Sequence, residues 1–279
     1  MSKKKSFIQS CKINNVRLVR KLLNSKNVNI NQRDYRGYTG LIYACLNNNF
    51  EIVKLLLENN VEVNYENFDG YTAFIYACIN GNLKIIEILM KKGANIYKAN
   101  NSGVTGFLYA CIFGKIDVIK ILYKYVNINH YDNSGSTGFY YSCCYGHYEV
   151  VKFLIDVGVK MNIRNNHNDT GFICTCSNGN YQILELLLIN NIDINIKDID
   201  GYSGFVIACY RNNYEIINRL LSVGYDYSSE MNKIHYYHEY INDYLNSKKY
   251  IDMKNYFLMS KAQNIYSLIV LLCDNYFTL

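Results

Sequence analysis

The stretch TGFLYACIFGKIDVIKIL, Thr105 to Leu122, decides the fold because the chain repeats it almost word for word. Aligned on a Thr or Ser, the copies read TGLIYAC from Thr39, TAFIYAC from Thr72, TGFLYAC from Thr105, TGFYYSC from Thr137, TGFICTC from Thr170 and SGFVIAC from Ser203. The steps are 33 residues, apart from one of 32 between Thr105 and Thr137. A fixed period of this length marks a repeat architecture. Before each opener stands a turn-rich element: DYRGY, NFDGY, NNSGV, DNSGS, NNHND and DIDGY. Asp, Asn and Gly there supply side-chain caps and positive φ, which is hairpin-turn chemistry.

Each unit closes with a second amphipathic segment, as in FEIVKLLLENNVEVN from Phe50. Its apolar stripe, Ile52, Val53, Leu55, Leu56 and Leu57, is too wide for one two-helix unit to cover. Stacked copies cover it for one another, which predicts an all-α solenoid with nearest-neighbour energetics.

At this point the residues resemble the ankyrin repeat family, whose 33-residue unit is a β-turn followed by two antiparallel helices with a T-P-L-H-x-A start. The resemblance implies about seven stacked units. Residues 1–33 form a degenerate N-terminal capping repeat, 34–227 six ankyrin repeats, and 228–279 a helical C-terminal cap that includes Ile265, Leu268, Ile269, Leu271 and Leu272. Three departures stand out. The family's proline is Gly40, Ala73, Gly106, Gly138, Gly171 or Gly204, which removes a preset φ and predicts a loss of pre-organisation at each helix start. Its histidine becomes Ile42, Ile75, Leu108, Tyr140, Ile173 or Val206. The fourth unit lacks the glycine between helix and hairpin, so an irregularity is expected near Tyr125.

Composition narrows the function. The chain has 279 residues with no proline, no tryptophan and 29 tyrosines, a bias of the kind AT-rich coding produces. No early stretch looks like a secretory signal, and SLIVLLC from Ser267 is far short of a membrane span. Of the ten cysteines, Cys11, Cys45, Cys78, Cys111, Cys143, Cys176 and Cys209 share one phase, where the family has alanine. They read as small buried hydrophobes, too far apart for a disulfide ladder, and so as signs of a reducing, cytoplasmic compartment.

CCYGH (Cys143, Cys144, His147), CTC (Cys174, Cys176) and the pair His235 and His238 fall short of the four convergent ligands of a structural zinc site. No cofactor and no metal is expected. No nucleophile-base-acid set, P-loop or dinucleotide fingerprint occurs, so the chain reads as a non-enzyme. The net charge of +6 comes largely from the two ends. Nucleic-acid binding wants a continuous basic stripe, and none is expected.

Recognition of another protein remains. In the resembling family, partners dock on the concave face, on hairpin tips and the inner sides of the first helices. Carried over by phase, the tip positions are Tyr35, Arg36 and Tyr38; Phe68, Asp69 and Tyr71; Asn101 and Val104; His167; and Ile199, Asp200 and Tyr202. The first-helix ends add Phe113, Tyr145, Tyr210 and Arg211. Copies differ most at these positions while the framework stays nearly fixed, and Tyr and Arg are common interface anchors. Tyr43, Tyr76, Tyr109 and Tyr141 recur four residues after the opener, where they either line the groove or, as favoured, pack sideways between repeats.

The composition also looks like that of ankyrin proteins of amoebal giant viruses. That likeness implies work in a host cytoplasm, and a C-terminal segment that recruits a host ubiquitin-ligase subunit as an alternative to simple capping, although no F-box motif is present. Asn64, Asn162 and Asn195 resemble the asparagines hydroxylated in this family; plain turn asparagine is the favoured reading. A monomer is expected.

Overall fold

The computed structural model describes residues 7–25, 28–234, 237 and 239–247. They fall into two compact units, residues 1–220 and 221–279. The terminal helix expected from the run of apolar residues after Ile265, and the pair His235 and His238, lie outside the described residues.

The first unit is a succession of helix pairs. They are α1 (Phe7–Lys12) and α2 (Val16–Asn24), α3 (Gly40–Leu46) and α4 (Phe50–Glu58), α5 (Ala73–Asn80) and α6 (Leu83–Lys91), and α7 (Gly106–Ile112) and α8 (Ile116–Leu122). Then follow α9 (Gly138–Cys144) and α10 (Tyr148–Asp156), α11 (Gly171–Asn178) and α12 (Tyr181–Ile189), and α13 (Gly204–Tyr210) and α14 (Tyr214–Ser222). Every opener is an N-cap. The hydroxyls of Thr39, Thr72, Thr105, Thr137, Thr170 and Ser203 accept from the backbone N–H three residues on. Such caps satisfy an otherwise orphaned N–H and are worth about 1 kcal/mol each. The hairpins are held by single antiparallel bridges, such as Ala99 with Thr105 and Lys197 with Ser203.

First helices pack chiefly on the first helices of neighbouring units, and second helices touch each other less. The first helices therefore form the tighter, inner side of the stack. Between them lies the core: Phe74, Phe107, Phe139, Phe172 and Phe205 are fully buried, as are all seven in-phase cysteines. Burial pushes the Cys111 and Cys143 thiols up to about 12, so they stay protonated and unreactive at neutral pH.

The glycines that replace the family's proline have a packing cause. A Cβ on Gly106 would stand 2.8 Å from Cys78 Sγ and 3.1 Å from Phe74 Cε1. On Gly204 it would stand 2.6 Å from Phe172 Cε1 and 2.8 Å from Cys176 Sγ. Gly138 and Gly171 meet Phe107 and Phe139 in the same way. The one junction with a Cβ, Ala73, follows the one unit among these whose core residue is Leu41 rather than Phe. Ring and glycine are thus a matched pair across each junction.

The missing residue of the fourth unit shortens α8 to 7 residues, against 9 in α4, α6, α10, α12 and α14. The chain leaves it through turns at 123–125, and the Tyr123 ring meets Phe153 edge-on at 5.2 Å. In the second unit a 3-10 helix, Ser228–Lys233, carries the buried Glu230, which accepts from the Tyr225 hydroxyl at 2.9 Å.

One expectation is corrected. Cys144 and Cys174, outside the repeated phase, are joined by a disulfide with Cα atoms 5.0 Å apart, so α9 and α11 are cross-linked. Cys144 lies one residue after Cys143 and Cys174 two before Cys176, on facing inner helices, where the separation falls within disulfide reach. Cysteine usage therefore does not argue for a reducing compartment.

Two predictions follow from the junctions and the cross-link. Gly106→Ala should destabilise by about 1–3 kcal/mol through overpacking, and Phe74→Leu should recover much of that loss by recreating the Leu41–Ala73 junction; denaturant unfolding of the four-protein cycle measures it, and additivity within about 0.5 kcal/mol would contradict it. Closing the 30-residue separation should stabilise by roughly 3–4 kcal/mol. A reductant should accordingly lower the unfolding midpoint of the parent protein and leave Cys144→Ser unchanged.

Candidate protein-interaction surface

Each hairpin is built around its first residue, an Asp or Asn. The Oδ1 of Asp34, Asn67, Asn100, Asp132, Asn165 and Asp198 accepts from two backbone N–H groups, two and four residues on. This is the Asx turn that makes Asp and Asn effective turn residues. The tip backbones then join from unit to unit. Phe68 N–H donates to Arg36 O at 3.0 Å, Asn101 to Asp69 O at 3.0 Å, Asn133 to Ser102 O at 3.1 Å, Asn166 to Ser134 O at 2.9 Å and Ile199 to His167 O at 2.9 Å.

Asparagine side chains reinforce this ladder. The Asn101 amide donates to Phe68 O, Asn133 to Asn101 O and Asn166 to Asn133 O, at 2.9, 3.0 and 3.1 Å. At the opposite end of the first helices, Asn80 donates to Cys45 O and Asn213 to Cys176 O and Ser177 O. Asn64 uses both ends of its amide, donating to Gly93 O and accepting from Asn95 N–H. These asparagines thus serve inter-repeat hydrogen bonding.

The tyrosines form a second network. Tyr38 shares a hydroxyl–hydroxyl bond of 2.8 Å with Tyr76, and Tyr71 one of 2.5 Å with Tyr109. Tyr43 donates to Asp34 Oδ2 at 2.7 Å, and Tyr141 to Asp132 Oδ2 at 2.5 Å. The Tyr38, Tyr43, Tyr71, Tyr76 and Tyr109 rings stack or tilt on one another at 5.0–6.2 Å, within a unit and across to the next. Burial alone would raise the Asp34 carboxyl, but the Tyr43 hydroxyl and the hairpin N–H groups outweigh it and hold it below its ordinary value. Burial, and then the Asp132 carboxylate, pushes the Tyr141 phenol up to about 12.

The residues expected to meet a partner divide accordingly. Tyr35, Arg36, Phe68, Asp69, Asn101, Phe113, Tyr145, His167, Ile199, Asp200, Tyr210 and Arg211 are exposed. Tyr38, Tyr71 and Tyr202 are half-buried, and the first two have their hydroxyls engaged across the junction. Asn101 is exposed but holds the tip ladder. Val104 is 7% exposed and cannot serve as a contact, because its side chain lies in the junction core. Guanidinium groups lie against two tip rings: Arg36 5.6 Å from the Tyr35 centroid and Arg33 5.4 Å from that of Phe68. Phe113 stacks on Tyr109, and Tyr145 on Tyr141. Arg33 was not singled out from sequence, and its place one residue before the turn element was the available signal.

The cysteine and histidine candidates for a metal are otherwise engaged. Cys144 and Cys174 are bonded, Cys143 is buried under Gly171, and His147 Nε2 lies 2.8 Å from Ile112 O. Among the described residues no group of three or more potential ligands converges on a metal position. No helix among them is long and apolar enough to cross a membrane.

Asn67 is the irregular member of the hairpin series. It is 2% exposed and its Nδ2 has no partner among the described residues, a costly state for a buried donor. Asn67→Asp should copy the Asp34–Tyr43 pair, with Tyr76 donating to the new carboxylate, and raise stability at pH 7 by about 0.5–1.5 kcal/mol. A carboxyl held low in the folded state stabilises above its unfolded pKa and loses that contribution as pH falls through the folded one. The gain in melting temperature should therefore vanish in acid, below the ordinary 3.8; a variant no more stable than the parent at pH 7 would contradict the assignment.

Comparison with known proteins agrees with this geometry. A family model described as ankyrin repeats (3 copies) matches residues 7–100, 96–165 and 157–232. No curated protein matches the chain, and nothing in the comparisons supports the expected likeness to giant-virus proteins. Ankyrin repeats generally serve as protein–protein interaction modules. With the matched segments spanning most of its length, the chain belongs to the ankyrin repeat family.

Proposed function

We propose that this protein is a non-enzymatic adaptor or scaffold that binds a partner protein on the concave face, through hairpin tips and first helices. The observation that carries the reading is a contrast within each repeat. Framework positions of the first helices are almost wholly buried, whereas tip and helix-end positions leave large apolar side chains in water: Tyr35 is 79% exposed, Phe68 64% and Ile199 62%. Contiguous exposed apolar side chains rimmed by charge are a mark of interaction sites.

The first two hairpins supply the strongest anchors. Tyr35, Arg36 and Phe68 sit on adjacent tips joined by the bond from Phe68 N–H to Arg36 O. The cation–π contacts of Arg33 and Arg36 hold these rings in place, which lowers the entropy lost when a partner covers them. No observation among the described residues favours the ligase-adaptor alternative, whose C-terminal segment lies largely outside them.

Affinity purification with the full chain, followed by binding measurements on the recovered partner, tests this. Tyr35→Ala, Arg36→Ala and Phe68→Ala should each weaken binding, with at least one costing about 2 kcal/mol or more, while the free energy of unfolding stays within about 0.5 kcal/mol of the parent. Partners retained in full by the triple variant would overturn the assignment of this face.

A further inference from the structure

After Tyr141 the inner-helix tyrosine gives way to Cys174 and then Ile207, and a pit opens between the last two repeats. At two earlier junctions a hairpin tyrosine meets the inner-helix tyrosine of the next repeat, as Tyr38 meets Tyr76 and Tyr71 meets Tyr109. The equivalent pair here is Asp169 and Ile207. The inner-helix tyrosine that donates to the hairpin Asp in the Asp34–Tyr43 and Asp132–Tyr141 pairs is likewise Ile207 opposite Asp198. This junction holds a cavity of about 360 Å³ lined by Asp169, Ile173, Cys174, Asp198, Ile207 and Tyr210, with Ser177 and Arg211 completing it.

Both carboxylates lack a side-chain donor. Asp198 Oδ1 accepts the N–H groups of Asp200 and Tyr202, but the tyrosine that serves Oδ2 elsewhere is missing. Asp169 forms no side-chain hydrogen bond and no ion pair among the described residues. Arg211 stands at the pit without closing to ion-pair distance on either. The Cys144–Cys174 cross-link fixes one wall.

We propose that this pit receives one lysine or arginine side chain of the partner protein, its aliphatic stem along Ile173 and Ile207 and its cationic head between Asp169 and Asp198. Long cationic side chains combine an apolar stem with a charged tip in this way. Burial raises the Asp169 carboxyl, the Asp198 charge raises it further, and His167 opposes them; an entering cation relieves that repulsion. The inference rests on the concave face being the binding face and adds the chemistry of one subsite.

The probe is n-butylguanidinium, the arginine side chain without its backbone, titrated into the isotopically labelled full chain and followed by NMR. Saturable shifts should cluster at Ile173, Ile207 and Tyr210, and the uncharged isostere N-butylurea should produce none. Asp169→Asn and Asp198→Asn should each weaken binding about tenfold, as the loss of one favourable charge pair would. Asp198→Asn keeps the hairpin, because Asn67, Asn100 and Asn165 already fill that role. Absence of saturable shifts at these residues, equal shifts from the urea, or binding indifferent to both substitutions would each overturn the proposal. Such a result would leave the Tyr35–Phe68 face standing, since that patch is tested by its own variants on separate hairpins.

Discussion

No repeat of this chain can bury its own first helix, and the structure depends on how the next repeat does it. The buried Phe and Cys of one unit fit beneath a residue without a side chain at the start of the following helix. Close-packed interiors feel a single methyl group, so the identity of that residue follows from the ring below it: glycine over phenylalanine, alanine over leucine. The same fit gives each junction its register. Stability then becomes a sum over units and nearest-neighbour contacts, with the Cys144–Cys174 bond adding one covalent tie between two of them.

That stacking leaves a second problem, the polar backbone at both ends of the first helices. Asparagine solves it. Its amide both donates and accepts, so one side chain can bridge the carbonyl of one unit to its neighbour at the tips and, again, at the helix ends. Tyrosine solves the remainder on the inner face by carrying an apolar ring into the junction and a hydroxyl to a partner at its rim. At the outermost tips and at the Asp169–Ile207 junction, where Ile207 stands in place of tyrosine, apolar and charged groups remain at the surface.

The fold was legible in the sequence because its cause is periodic: openers, turn elements and apolar stripes recur in phase, and all reappear as caps, hairpins and core. The tip positions were legible as the places where copies differ, although difference alone could not separate the exposed Phe68 from the buried Val104. What stayed hidden depends on contacts between residues 30 to 38 positions apart. The glycines read as lost helix preference until the ring beneath them was seen. Cys144 and Cys174 were weighed only with their sequence neighbours, as incomplete metal ligands, because their approach belongs to two facing helices, not to one repeat. The pit was invisible for a related reason: it is made by side chains that are missing from the phase.

The central claim is that partner contact belongs to the tips and first helices, and that the outer helices serve stacking alone. Site-specific photo-crosslinking of the full chain in cells tests it most directly, with a photoreactive phenylalanine analogue placed in turn at Tyr35 and Phe68 on the tips and at Ile189 and Tyr214 on second helices, all four of them exposed. The account predicts discrete adducts with a common protein from Tyr35 and Phe68 and none from the other two. Adducts from Ile189 or Tyr214 with the tips silent would contradict it.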